Sequence, residues 1–239
     1  PPAPPAGPAK KPPADPPANG LPTPDWVLAR YVRALGGEPA LRKITSRSMR
    51  GTFEIPSRQI TGEAEIDTAS PDRFYSLLKI SDAQQYIQAF DGKAGWSYDP
   101  QSGYTDLAGK ELAQMRRGAQ FEYELHFREL FPQLRIIEKA TEENHPAWVV
   151  EATPPGEGPE KFYFDVETGL LLRHDSFQDT PDGEVAVVHR YSEYVAVDGV
   201  QVPTLLRHTD PAITWQVKFT DVHNNVPMDL AVFSKPAPQ

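Results

Sequence analysis

The stretch FDGKAGWSYDP, Phe90 to Pro100, carries a turn signal between two apolar ends. Asp91-Gly92 suits a two-residue type I′ hairpin turn, which needs positive φ at both central positions. Trp96 and Tyr98 are two residues apart, so they share one face of the second strand. Pro100 closes that strand because it has no N–H to give to a ladder. The stretch therefore predicts a β-hairpin with aromatic side chains on its return strand.

The chain around it predicts that this hairpin belongs to a long series. In QITGEAEID, Ile60, Gly62, Ala64 and Ile66 alternate with Thr61, Glu63, Glu65 and Asp67. ITWQVKFTD repeats the pattern, with Ile213, Trp215, Val217 and Phe219 against Thr214, Gln216, Lys218 and Thr220. Such alternation marks strands with one dry and one wet face. Further strands are expected at 73–80, 84–91, 95–99, 134–142, 147–153, 160–166, 169–178, 184–196 and 201–209. Turn signals separate them at Ser70-Pro71, Asp91-Gly92, Pro154-Pro155-Gly156, Thr168-Gly169, Asp182-Gly183 and Asp198-Gly199. About ten or eleven antiparallel strands at this spacing predict an α+β, mainly β chain. Its expected form is an open, strongly curved antiparallel sheet, or incomplete barrel.

Two segments break the series. TPDW, from Thr23, reads as a helix start: Thr23 as N-cap, Pro24 at the first helical position and Asp25 where the helix dipole favours an anion. Trp26, Leu28, Tyr31, Val32 and Leu35 give apolar spacings of three and four, and Gly36-Gly37 ends the run. A short second helix is expected from Pro39 to Ile44. The other segment is LAGKELAQMRRGAQFEYELHFRELF, residues 107–131. Ala108, Leu112, Met115 and Ala119 form an apolar stripe, while Gly118 weakens the middle by about 1 kcal/mol relative to Ala. One helix or two fit this segment, acting as a plug for one opening of the sheet or as a lid.

Residues 1–24 do not belong to a core. They are mostly Pro, Ala and Gly, too poor in large apolar side chains to offset the entropy of ordering. In extended polyproline geometry they reach roughly 70 Å, so they are expected to act as a proline-rich tether. Residues 25–236 are expected to form one domain.

The 239 residues carry a formal net charge of −9 and no cysteine. The acidic balance argues against a nucleic-acid partner, whose affinity comes largely from cationic contacts to phosphate. Without cysteine there are no disulfides, thiolate metal sites or cysteine nucleophiles. The sequence holds no phosphate loop, dinucleotide fingerprint, HExxH or EF-hand, and no cofactor is expected. The six histidines are scattered, and His174-Asp175, as strand neighbours, point to opposite faces. No serine sits in a nucleophile elbow. These features point away from an enzyme.

As a spaced string, Asp91, Gly92, Lys93, Trp96, Tyr98 and Pro100 resemble the hairpin of the LolA/LolB-like lipoprotein localisation factor superfamily. GEAEIDTASPDRF, Gly62 to Phe74, resembles that family's glycine-led strand, its turn ending in proline and its next strand. KFYFDVETGLLLRHDSFQD and AVFSKPAP resemble its late strand pair and closing phenylalanine-proline segment. The resemblance implies an open sheet wrapped around helices that cover an apolar cavity, and it makes residues 107–131 a lid. One position departs: where the carrier has an arginine before the turn proline that helps hold its lid shut, this chain has Ser70, with Arg73 nearby.

The resemblance implies non-catalytic binding or transport of a lipid, acyl chain or acylated protein in the bacterial cell envelope. The location would be periplasmic, or tethered to a membrane surface through the N-terminal segment and facing the periplasm. Candidate cavity residues are Ile60, Ala64, Ile66, Phe74, Leu78, Trp96, Tyr98, Phe162, Phe164, Trp215, Val217 and Phe219, with Leu112 and Met115 from the lid. The alternatives are an RseB-like envelope-sensing module that binds a partner protein, and a hydrolase using a carboxylate or histidine of the cleft.

Overall fold

The computed structural model describes residues 20–180 and 183–237. Most of the expected tether, residues 1–19, lies outside the described residues, as does Asp182 of the expected Asp182-Gly183 turn. Four helices are described: α1 (Pro24–Ala34), α2 (Glu38–Leu41), α3 (Gly109–Gly118) and α4 (Phe127–Leu130). The strands are β1 (Ser46–Ile55), β2 (Ile60–Ala69), β3 (Arg73–Ser81), β4 (Gln84–Phe90), β5 (Gly95–Asp99), β6 (Gly103–Asp106), β7 (Gln133–Glu142), β8 (His145–Thr153), β9 (Glu160–Asp165), β10 (Leu171–Thr180), β11 (Gly183–Val197), β12 (Val200–Thr209) and β13 (Thr214–Asn224).

All thirteen strands form one antiparallel sheet, in the order β6-β5-β4-β3-β2-β1-β13-β12-β11-β10-β9-β8-β7. Two meanders thus meet where β1 pairs with β13. The sheet is open, with β6 and β7 as its two edges. This order dictates the path of the helical segment. Residues 107–132 join one edge of the sheet to the other, so they must cross the mouth of the curved sheet.

The strand count exceeds the expected ten or eleven by β1 and β6. β1 carries Ser48, Gly51 and Thr52 among its apolar residues, which blurs its alternation, and β6 has only four residues. The segment expected to be helical over 107–131 is two helices separated by turns. The short second helix runs over Glu38–Leu41 rather than 39–44.

α1 begins as its sequence dictates: the Thr23 hydroxyl accepts from the Trp26 N–H, with Pro24 at the first position. The hairpin turn differs from expectation. Phe90 pairs with Gly95, leaving residues 91–94 in the turn, and Gly92 has φ of 98° while Asp91 stays out of the positive range. The Asp91 carboxylate explains this. Its Oδ1 accepts from the N–H of Lys93 and of Ala94, both at 2.8 Å, and so builds a wider turn than type I′.

Among the described residues the ladder is interrupted at four pairings, one of them near the centre of the sheet. The β1–β13 register shifts between Arg50 and Gly51. A Cβ on Gly51 would lie 2.0 Å from the Lys218 carbonyl oxygen, and one on Gly62 would lie 2.3 Å from that of Lys79. Only glycine lets these backbones approach so closely.

The core has two main parts. Under α1, Trp26, Val27, Leu28, Tyr31 and Leu35 pack with Phe127 and Phe131 on Val150, Ala152, Phe162 and Phe164 of β8 and β9. Near the centre of the sheet, Ile44 packs with Met49, Phe53, Ala64, Val200, Val202, Val217 and Phe219. The helices therefore fill one half of the concave face. The other half, bounded by β2–β5 and β10–β13, is left for a cavity.

Candidate functional site: an apolar cavity with a histidine row

The cavity has a volume of about 760 Å³, within the range typical of small-molecule sites. Its register is consistent across strands. Ile66, Ser76, Gln88 and Ser97 are opposite one another on β2 to β5, and all four line it. Ala64 and Leu78 form a neighbouring pair, as Val217 and Leu206 do on β13 and β12. Phe74, Trp215 and Phe219 complete the apolar wall.

α3 covers this wall. Glu111, Gln114, Met115 and Gly118 line the cavity, at helical spacings that put them on one face. The helix is held on its far side. Arg117 pairs with Glu157 and with Glu160, whose side chains are 8% and 6% exposed. Gln114 Nε2 donates to Glu157 Oε2 at 3.0 Å and to the Phe177 carbonyl at 3.2 Å, and Lys110 pairs with Glu184. On the near side Leu112 packs close to Gly95 of β5. The helix thus bridges the β5 side of the sheet and the β10–β11 side.

Nine of the expected cavity residues border the cavity: Ala64, Ile66, Phe74, Leu78, Tyr98, Met115, Trp215, Val217 and Phe219. Tyr98 does so at the sheet edge, with its ring 4.8 Å from that of Tyr104. Five lie elsewhere. Ile60 packs against the central core and Leu112 against Gly95. Phe162 and Phe164 are core residues under α1 and α4, with ring centroids 4.9 Å from Phe127 and 5.0 Å from Tyr31 respectively. Trp96 faces the opposite side of the sheet. It pairs with Ala89, one residue out of phase with the cavity-lining Gln88 and Ser97, and its Nε1 donates to the Phe233 carbonyl at 3.0 Å.

A row of rings that the scattered sequence positions concealed runs from the core under α1 to the cavity, which His189, His208 and Trp215 line. Phe162, His174, His189, His208 and Trp215 are direct cross-strand partners on β9 to β13. Their ring centroids are 4.1, 6.4, 4.9 and 4.6 Å apart in sequence; the rings stack except for His189 and His208, whose planes meet at 61°. The signal was present in the turns. His174 and His189 are equidistant from the junction of β10 and β11, where Thr180 pairs with Gly183, as His189 and His208 are from Asp198-Gly199. In an antiparallel hairpin, positions equidistant from the turn face each other.

Each end of the row carries a carboxylate. His174 Nε2 lies 2.6 Å from Glu160 Oε2, and His208 Nε2 lies 3.0 Å from Asp210 Oδ2. Between them, His208 Nδ1 is 3.0 Å from His189 Nε2. Burial, helped by the neighbouring His174 and His208, pushes the His189 imidazole down to about 3. For Asp210, burial acts upward but is outweighed by hydrogen bonds from His208 and from the N–H groups of Ala212 and Ile213. Its carboxyl is held below the usual range. His174-Asp175 is no dyad: Asp175 bonds Arg173 and Tyr163, away from His174. Among the described residues no serine or threonine hydroxyl bonds to these histidines, and no group of three or more His, Asp or Glu is arranged to hold a metal ion. No helix among them is long and apolar enough to cross a membrane.

No protein-family model matches the chain, and no curated protein sequence does. Solved structures do. A DUF1329 family protein from Desulfovibrio piger superposes with a TM-score of 0.59 at 14% identity, covering 88% of this chain and 96% of its own. A LolA superfamily protein from Nitrosomonas europaea gives 0.58 at 11% identity, covering 90% and 99%. A candidate outer-membrane lipoprotein-sorting domain from Vibrio parahaemolyticus gives 0.51 at 10% identity, covering 77% and 86%. At these identities the likeness is one of architecture. The chain has a LolA-like fold, an open curved antiparallel sheet with helices across its concave face.

Proposed function

We propose that the protein binds the acyl chain of a lipid or acylated protein in its concave cavity, without catalysis, in the bacterial cell envelope. The observation that carries this reading is the cavity itself. Ile66, Phe74, Leu78, Trp215, Val217 and Phe219 give the cavity a largely apolar wall, and Met115 of α3 adds to it from above. Burying an acyl chain yields about 0.8 kcal/mol per CH₂, so a sixteen-carbon chain gives roughly 12 kcal/mol gross before desolvation and ordering costs. Such a site needs a dry concave wall rather than a nucleophile. The LolA-like fold of the neighbours, one of them described as a candidate lipoprotein-sorting domain, supports the envelope setting.

The test is direct. The protein, purified without detergent, is extracted with organic solvent, and the extract is read by mass spectrometry. The stripped protein is then titrated with a fluorescent acyl probe. Co-purifying acyl lipids, or saturable probe binding, is the expected result. An empty extract together with no probe binding would overturn the reading.

A further inference from the structure

The histidine row can be taken further, because its hydrogen-bond partners fix where the protons sit whenever the imidazoles are neutral. Resting on the acyl-binding reading above, we propose that the Asp210–His208–His189 relay makes Nδ1 of His189 a hydrogen-bond acceptor on the cavity floor. The preferred occupant is then an amphiphile with an uncharged donor head, a hydroxyl or an amide N–H, rather than a carboxylate.

The argument is one of tautomers. An ionised carboxylate only accepts hydrogen bonds, so Asp210 Oδ2 requires the hydrogen of His208 to be on Nε2. Nδ1 of neutral His208 is then a bare lone pair. The 3.0 Å contact to His189 Nε2 must therefore be donated by His189, which places the hydrogen of His189 on Nε2. Nδ1 of neutral His189 is left as an acceptor. It has no partner among the described residues. Within that same set, the only side-chain nitrogen or oxygen both sealed from solvent and unpartnered is Trp148 Nε1. Nδ1 of His189, on a residue that lines the cavity, is therefore open to an occupant.

The surroundings keep the relay in this state. Burial and two neighbouring imidazoles disfavour a charge on His189. The third histidine, His174, is already engaged by Glu160, which in turn pairs with Arg117 of α3. A carboxylate head in this half of the cavity would meet a lone pair at His189 and the carboxylate of Asp210, which also lines it. A hydroxyl or amide N–H would satisfy Nδ1 directly.

Head-group competition at pH 8, where unperturbed imidazoles are neutral, tests the proposal. Dodecanol, N-methyldodecanamide, methyl dodecanoate and dodecanoate share one chain length and each displaces a bound fluorescent acyl probe. The alcohol and the amide are expected to displace it at about fivefold lower concentration than the ester, which has no donor, and dodecanoate to be weakest. Which of the first two leads separates hydroxyl from amide heads. His189→Leu should erase the alcohol's advantage over the ester. A measurement on the unaltered protein covers the case in which that variant does not fold. Long-range ¹H–¹⁵N correlation should show the His189 hydrogen on Nε2. A hydrogen on Nδ1, or equal displacement by alcohol and ester, would overturn the inference while leaving acyl binding intact. Failure of the probe and of all four competitors to bind would overturn both.

Discussion

Nε1 of Trp96 donates to the backbone carbonyl of Phe233 at 3.0 Å, tying β5 to a segment 137 residues later in the chain. Phe233 is fully buried, and its neighbour Lys235 pairs with Asp106 at 2.8 Å. The segment after β13 therefore straps the face of the sheet opposite the cavity. Trp96→Phe keeps most of the ring but leaves a buried carbonyl unpaired, so a loss of about 1–3 kcal/mol is expected in urea unfolding. Phe233→Ala should cost about 3–5 kcal/mol. Acyl-probe affinity should stay unchanged in folded Trp96→Phe, and a matching loss of affinity would place Trp96 on the cavity after all.

Met115 faces the cavity from α3 while remaining partly exposed. Met115→Asp puts a charge over the apolar wall without opening the core. Probe binding should be lost, with only a small change in melting temperature. A fall in stability as large as the fall in binding would make Met115 a packing residue.

Arg117 anchors α3 to two nearly buried carboxylates. Removing it as Arg117→Met takes the guanidinium from Glu157 and Glu160 and leaves them with Gln114 and His174. Breaking such a pair costs about 3–5 kcal/mol. The cost should be local in one respect: amide exchange over residues 109–118 should accelerate more than exchange in β7–β9. Uniform acceleration would mean that α3 is part of the global core rather than a cover.

His189 should make the protein acid-labile. Its folded-state value, about 3, lies below the roughly 6.5 of an unfolded chain. The unfolded state therefore binds the proton first. The stability that His189 contributes is fully present above about pH 6.5 and is lost as pH falls toward about 3. Glu65 and Glu124, whose carboxyls burial pushes up, act in the opposite sense in this window and do so in both proteins. Between about pH 6.5 and 4.5, the denaturant midpoint should therefore fall more steeply for the natural protein than for His189→Leu. Parallel slopes for both would remove His189 as the cause.

Much of the architecture was legible in the chain. Alternation over residues 60–67 and 213–220 specified half-buried strands. Thr23-Pro24 specified where α1 begins, and the breakers between strands specified a long antiparallel meander. The Ile66 face and the Trp215–Phe219 face were readable for the same reason: side-chain period fixes which residues travel together. What period leaves open is which face of the sheet the cavity takes and which parts of that face are already filled. Trp96 alternates as cleanly as Ile66 does but faces the C-terminal strap. Phe162 and Phe164 are on the cavity's side of the sheet and are nevertheless covered by α1 and α4.

Local sequence specified the elements other than β1 and β6, their antiparallel order and the identity of a dry face. Those follow from local sterics and from alternation, which act over a few residues. Tertiary structure decided the rest. Pairing of β1 with β13 set the two edges of the sheet, and so sent residues 107–132 across its mouth as a cover. Register across β10, β11 and β12 brought His174, His189 and His208 into one row. Both depend on hydrogen bonds between residues far apart in the chain, and those bonds turn scattered side chains into a site.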